Sequence, residues 1–231
     1  MAFGYHCQGE DEIDRYARVY IQEQRHVLDM SMCLDINLST FTGRSPSMSP
    51  RTVSSPLSLD IPLEIVLDDS IPLDDKFDGQ GWNREGKLYF SSGSRAFRMT
   101  MRLHHEILEL YFGPPPHNRP AIVQDLRQRL DTMLDHLPPV FRTPVDRSAL
   151  DTLQPSAIAI ICYTRLSILH AQFLLERAEK SHSNDTRFLE VAQKMLSLTI
   201  TFFNMRDRVP GHTDGIIWQV SCTVYICVVV R

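Results

Sequence analysis

No Cys-x-x-Cys pair occurs in this sequence; the five cysteines, Cys7, Cys33, Cys162, Cys222 and Cys227, are scattered along 231 residues. Neither a disulfide-stapled secreted scaffold nor a cysteine-rich zinc module has that spacing. Basic residues are not in excess: 24 Lys and Arg face 28 Asp and Glu, a formal net charge of −4. Without a positive field, unaided binding to nucleic acid through phosphate neutralisation is not expected. No basic segment leads into an apolar core and cleavage site near Met1, so no secretory leader is expected. The longest uncharged run, Gly215 to Val230, has sixteen residues with Gln219, Ser221 and Thr223 among them, short of a bilayer span. It reads as a buried core helix despite its β-branched content, with a membrane anchor as the alternative.

Catalytic signatures are missing as well. There is no Gly-x-Ser-x-Gly elbow, no glycine-rich phosphate loop and no Cys/His/Asp set at recognisable spacing, so the chain is expected not to be an enzyme. His104, His105 and Glu106 are adjacent, whereas a zinc-protease helix needs histidines four apart; adjacent helical side chains diverge by about 100°. His170 reads as a packed or hydrogen-bonded histidine rather than a general base. The acidic DDSIPLDD, Asp68 to Asp75, resembles a magnesium cluster, but Pro72 breaks the helix that would bring its carboxylates to one ion. NDTRFLE, Asn184 to Glu190, echoes a terpene-cyclase metal motif with the wrong spacing and reads as a helix cap. No metal ligand and no cofactor is assigned to these residues.

What is present is a globular composition, 43% hydrophobic and 23% charged. A chain of this length can bury about 70% of its unfolded surface, as one domain with a long loop. Glu10 to Thr42 contains no glycine or proline and repeats apolar residues at helical spacing, one long helix or two in succession. Gly43 to Ser58 packs three prolines and six serines into sixteen residues, too little apolar surface to offset the entropy of ordering, and reads as a loop. Ser45, Ser49 and Ser55 each precede a proline and can accept a proline-directed kinase. Asp60 to Asp78 is an acidic, extended connection.

Four helices follow. Phe97, Met101, His104, Leu108 and Tyr111 share a face before Gly113 and Pro114 to Pro116 stop the first. Asn118 can cap the second, with Pro120 in its first turn and a stripe of Ile122, Val123, Leu126, Leu130, Met133, Leu134 and Leu137 ending at Pro138. Pro155 opens a third, apolar over so wide an arc that it is placed at the centre. Ser183 or Asn184 can cap the fourth, whose stripe is Phe188, Leu189, Ala192, Met195, Leu196, Thr199, Phe202 and Phe203. The expected fold is all-α, an irregular helical bundle with a long Ser/Pro-rich and acidic loop, incomplete at both ends. Residues 1–42 form its N-terminal helical segment, 43–92 the loop and 93–231 the helical regulatory region.

One stretch, RHVLDMSMCLDINLSTFTGRSPSMS from Arg25 to Ser49, resembles the signature of the fungal-specific transcription factor domain, the regulatory middle region of fungal binuclear zinc-cluster transcription factors. Arg25 and Val27 match its start, Leu34 and Asp35 its Leu-Asp, Leu38 and Ser39 its Leu-Ser, and Gly43, Arg44 and Pro46 its closing Gly-Arg-Pro. Leu28 and Asp29 stand where the family has aromatics, and Ser45 is inserted. The family's order continues with Ile71–Pro72, the helix Leu103 to Tyr111, Leu137-Pro138-Pro139, Leu169–His170 and the helix with Val191 and Ala192.

The resemblance implies a transcription regulator in the nucleus, controlling a metabolic or secondary-metabolite pathway. Protein partners are implied, in a homodimer or with a full-length relative, and DNA is reached only indirectly. The family's zinc is held by six clustered cysteines with no counterpart here. Two other readings stay open, a small helical enzyme of isoprenoid-type chemistry and an interaction module that titrates a relative. From charge alone, Asp35 near a helix C-terminus is expected to pair with Arg44.

Overall fold

The computed structural model describes residues 15–50, 53–67, 74–143, 147–179 and 185–209. They fold as α1 (Arg15–Thr42), α2 (Leu63–Val66), α3 (Phe90–Phe112), α4 (Arg119–His136), α5 (Pro139–Arg142), α6 (Arg147–Asp151), α7 (Pro155–Glu179) and α8 (Asp185–Asn204), with 3₁₀ turns at Asp74–Lys76 and Arg206–Arg208. Among the described residues there is one isolated bridge, Phe77 to Asn83, and no strand. The expected all-α class holds. The run Gly215 to Val230, the aspartates Asp68 and Asp69 and the cap candidates Ser183 and Asn184 lie outside the described residues.

The wide apolar arc of α7 places it at the centre, against α3, α4, α5 and α8, while α1 packs on the far side of α3. Among the described residues, α7 alone is long and apolar enough to cross a membrane, but 72% of its most apolar window is buried inside the protein. Such burial is that of a core helix.

α3 and α7 run in the same direction. Ile160 lies against Gly93, His104 against His170, and Tyr111 Oη donates to the Leu174 carbonyl. Gly93 lets the two helices approach, since a Cβ there would sit 3.1 Å from an Ile160 methyl. The parallel arrangement brings two sets of unpaired terminal carbonyls together at one end. Arg119, opening the antiparallel α4, answers both by donating to Leu110 O at 2.9 Å and Ala178 O at 3.2 Å.

Local readings held unevenly. Asn118 occupies the cap position of α4, but its side chain makes no capping hydrogen bond, and Ile122 of the named stripe stands 36% exposed. α8 keeps most of the expected stripe inward, with Met195, Thr199 and Phe202 buried and Phe188 and Ala192 against the core, while Leu189, Leu196 and Phe203 of that stripe face outward beside Ile200, and Leu198 is buried instead. α3 begins at Phe90, inside the span read as loop, with Ser92 Oγ accepting from the Tyr89 N–H.

The larger correction concerns the Ser/Pro-rich segment. Val53, Ser55, Ser58 and Asp60 are buried, and Val53 closes a small cluster with Leu28 and Met32 of α1. Composition undercounted what holds the segment, because its backbone is bonded to side chains of the helices it crosses. Leu59 N–H donates to Gln22 Oε1 at 2.9 Å, and Arg95 donates to Ser58 O at 3.0 Å. Those bonds, made in part-buried positions, help to offset the ordering entropy that a Ser/Pro sequence carries.

Candidate functional site

Three polar assemblies stand out, and the first, half-buried at Asp35, is the signature segment itself. α1 ends in a left-handed turn at Gly43, φ 69°, with the Arg44 N–H donating to Ser39 O at 3.1 Å. This is a Schellman closure, in which glycine takes the left-handed position without a Cβ clash. The chain then doubles back beside the helix. Asp35 stands two turns before the helix end, and its carboxylate accepts from the Ser47 N–H at 3.1 Å and the Met48 N–H at 2.7 Å. The expected Asp35–Arg44 pair does not form. Two backbone donors reach the carboxylate first, leaving the Arg44 side chain exposed.

Gly43, Arg44 and Asp35 are thus brought together as one turn, with Pro46 half-buried in it and Leu38 39% exposed on the outer face of α1. Of the three phosphorylation candidates, Ser45 is exposed and Ser49 half-buried, while Ser55 is 1% exposed. A kinase cannot reach Ser55 in this fold, because it is sealed beneath the segment's crossing of α1 and α3.

The second assembly sits under that crossing. Asp29, in α1, and Arg98, in α3, form an ion pair at 2.7 Å with both side chains fully buried. Ser58 Oγ donates to the other Asp29 oxygen at 3.1 Å, and Arg98 Nη2 donates to Ser55 O at 3.4 Å. Burial pushes the Asp29 carboxyl up to about 6 against the pull of Arg98. Nearby, Asp60 accepts from Ser92 Oγ and from the Asn83 N–H at 3.0 Å and Nδ2 at 2.6 Å, tying the acidic segment to the start of α3. Sequence reasoning named Ser55 only as a phosphorylation candidate and Asp29 only as a departure from the family's aromatics, and brought neither to Arg98. The available signal was a second stripe on α3, Ser91, Ser94, Arg95 and Arg98, polar at helical spacing, from which Ser91 and Arg95 reach Ile61 O and Ser58 O and Arg98 reaches α1.

The third is a pair of imidazoles in the core between α3 and α7. His104 and His170 are both buried, with ring centroids 4.8 Å apart. Neither ring nitrogen of His104 has a hydrogen-bond partner, nor does Nε2 of His170. Burial lowers the His170 pKa to about 4; burial and then the His170 charge hold His104 well below its usual value. Both rings are therefore neutral near pH 7.

The three adjacent residues of the His104–Glu106 run go to separate partners. His105 Nδ1 is 3.7 Å from Glu109, and Glu106 takes a two-pronged bond from Arg129, 2.7 Å on each oxygen. No group of three His, Cys, Asp or Glu side chains placed to hold a metal ion occurs among the described residues. Cys33 and Cys162 are free and buried, with burial pushing their thiols up to about 11 and about 12, so the reactive thiolate is suppressed.

The outer face of α1 completes the description. Tyr20, Val27, Leu34 and Leu38 are 58%, 57%, 58% and 39% exposed. Steps of seven, seven and four residues keep them within about 40° of one another around the helix, as one apolar stripe. Compared with protein-family models, with curated proteins and with solved structures, the chain gives no significant match.

Proposed function

We propose that this chain is the non-catalytic regulatory region of a transcription regulator, of the kind found in fungal zinc-cluster transcription factors. It acts in the nucleus on a metabolic or secondary-metabolite pathway through contacts with protein partners, a second copy or a full-length relative among them. DNA is reached through the partner.

The observation that carries this reading is the double role of α1. The helix that bears the signature stretch is also the one whose outer face exposes Tyr20, Val27, Leu34 and Leu38 at coiled-coil-like spacing. An apolar stripe on a helix of 28 residues, about 42 Å long, suits a partner helix rather than a small substrate. The polar assemblies on α1 favour the same side: the buried Asp29–Arg98 pair holds α1 to α3, and the half-buried Asp35 turn holds the chain after Gly43 against α1.

The test is a tethering assay. Residues 1–231 fused to an unrelated DNA-binding module should change the output of a matching reporter several-fold in either direction. Val27→Lys with Leu34→Lys should abolish the change while leaving cooperative unfolding intact. An unmoved reporter together with magnesium-dependent turnover of an isoprenoid diphosphate would replace this reading with the enzymatic one.

A further inference from the structure

The described arginines are mostly answered by carboxylates or by carbonyls, Arg95 donating to Ser58 O and Gln80 O and Arg119 to Leu110 O and Ala178 O. Arg98 meets Asp29, Arg127 meets Glu176 and Glu179, Arg129 meets Glu106, and Arg208 meets Asp151. Arg165, near the middle of α7, departs from this pattern. Its Nη1 is buried with no hydrogen-bond partner, and burial lowers its pKa. A desolvated cation left without an anion is costly, and a folded protein retains one where something negative arrives to meet it.

The surroundings of Arg165 show where that would be. A pocket of about 260 Å³ opens between α4, α5, α7 and α8, and it is lined by Arg142, Arg165 and Lys194 with no carboxylate in its wall. None of these three cations is in an ion pair among the described residues. The rest of the wall is mainly apolar, Leu134, Phe141 and Ile168 among it. Arg165, Leu169 and Lys194 also line a neighbouring groove of about 450 Å³ between α7 and α8, whose wall includes Leu198 and Glu190.

We propose that this pocket and groove form a binding site for a small amphipathic organic monoacid. Its carboxylate meets Arg165, flanked by Arg142 and Lys194, and its apolar body lies along Leu169 and Leu198. The combined space is in the range of small-molecule sites, and the mixture of apolar wall with a few convergent charges is their usual composition. Glu190, one turn before Lys194 on α8, disfavours a second negative charge in the groove, which selects a monoacid over a diacid. The site does not depend on the transcription reading, since binding is measured directly and the reporter assay can fail without it.

Decanoate is the probe, titrated into residues 1–231 by calorimetry and by thermal unfolding, with decanol and inorganic phosphate alongside. Decanoate should bind and raise Tm, with decanol and phosphate at least ten-fold weaker. Arg165→Gln should weaken decanoate at least ten-fold while its own unliganded Tm is unchanged or higher, because an orphaned cation has been removed. Lys194→Gln, at an exposed position, should weaken it several-fold, and Arg187→Gln, outside this pocket, should leave it unchanged. No decanoate binding, decanol or phosphate binding as tightly as decanoate, or full affinity in Arg165→Gln would each overturn the proposal.

Discussion

Deleting either Asp29 or Arg98 leaves the other charge where no water can reach it, since both side chains are fully buried at 2.7 Å from each other. Breaking such a pair from one side costs about 3–5 kcal/mol, whereas replacing both members by apolar side chains is often nearly neutral. Asp29→Leu and Arg98→Met should therefore each lower urea stability by roughly that amount, and the double variant by far less than their sum. Additive losses in the cycle would show that the two residues act separately.

His170 gives the complementary case, a charge that burial forbids. Its folded pKa is about 4 against an unfolded value near 6.5, so between those limits the unfolded chain binds a proton that the folded chain does not. Stability from this group is complete above pH 6.5 and is lost as pH falls towards 4. Asp29, raised to about 6, works the other way over much of the same window, because there the folded state holds the extra proton. Total stability against pH will thus blend opposing slopes, and a difference measurement separates them. Relative to the unaltered chain, His170→Leu should gain stability progressively from pH 6.5 to 4, by up to about 3 kcal/mol, with a flat difference above pH 7. A constant difference across the range would mean that His170 does not titrate as its burial requires.

At the scale of elements, the helices legible in the sequence were those whose apolar period and stop signals agreed. α4, bounded by Asn118 and Leu137, and α7, opened by Pro155, fell where proline and the 3.6-residue period placed them. What was not legible came from polar atoms whose partners are distant in sequence. Ser55 and Ser58 look like loop serines until Arg98 and Asp29, 43 and 29 residues away, are folded beside them. The Asp35 assignment failed for a related reason. Charge arithmetic chose Arg44 as its partner, but the reversal at Gly43 delivers the backbone donors of Ser47 and Met48 to the same carboxylate. In α8 the period and most of the inward face were legible, through Phe188, Ala192, Met195, Thr199 and Phe202, but the stripe was drawn too wide, taking in the exposed Leu189, Leu196 and Phe203. The buried histidine pair was half visible: His170 was expected to pack, but its neighbour across the core is a tertiary fact.

At the scale of the molecule, two edge helices present apolar stripes to the outside. α1 exposes Tyr20, Val27, Leu34 and Leu38, and α8 exposes Leu189, Leu196, Ile200 and Phe203, at 63%, 48%, 51% and 41%. Steps of seven, four and three keep the second group on one side of its helix as well. Exposed apolar side chains aligned along one side of a helix in this way mark a candidate site of association. A net charge of −4 over 231 residues supplies little repulsion to oppose it. The chain at micromolar concentration should therefore sediment as a dimer or larger species. Val27→Lys with Leu34→Lys tests the α1 stripe, and Leu196→Lys with Ile200→Lys tests the α8 stripe. If association runs through one face, only that pair should release monomer, and its stability should change little because the altered side chains are exposed. Release by the α1 pair alone would join self-association to the helix that carries the signature. Release by the α8 pair alone would place the contact on the opposite edge of the bundle, leaving α1 free for a different partner. A monodisperse monomer unaffected by either pair would show that the stripes are tolerated in water and that apolar exposure on these helices is not an interface.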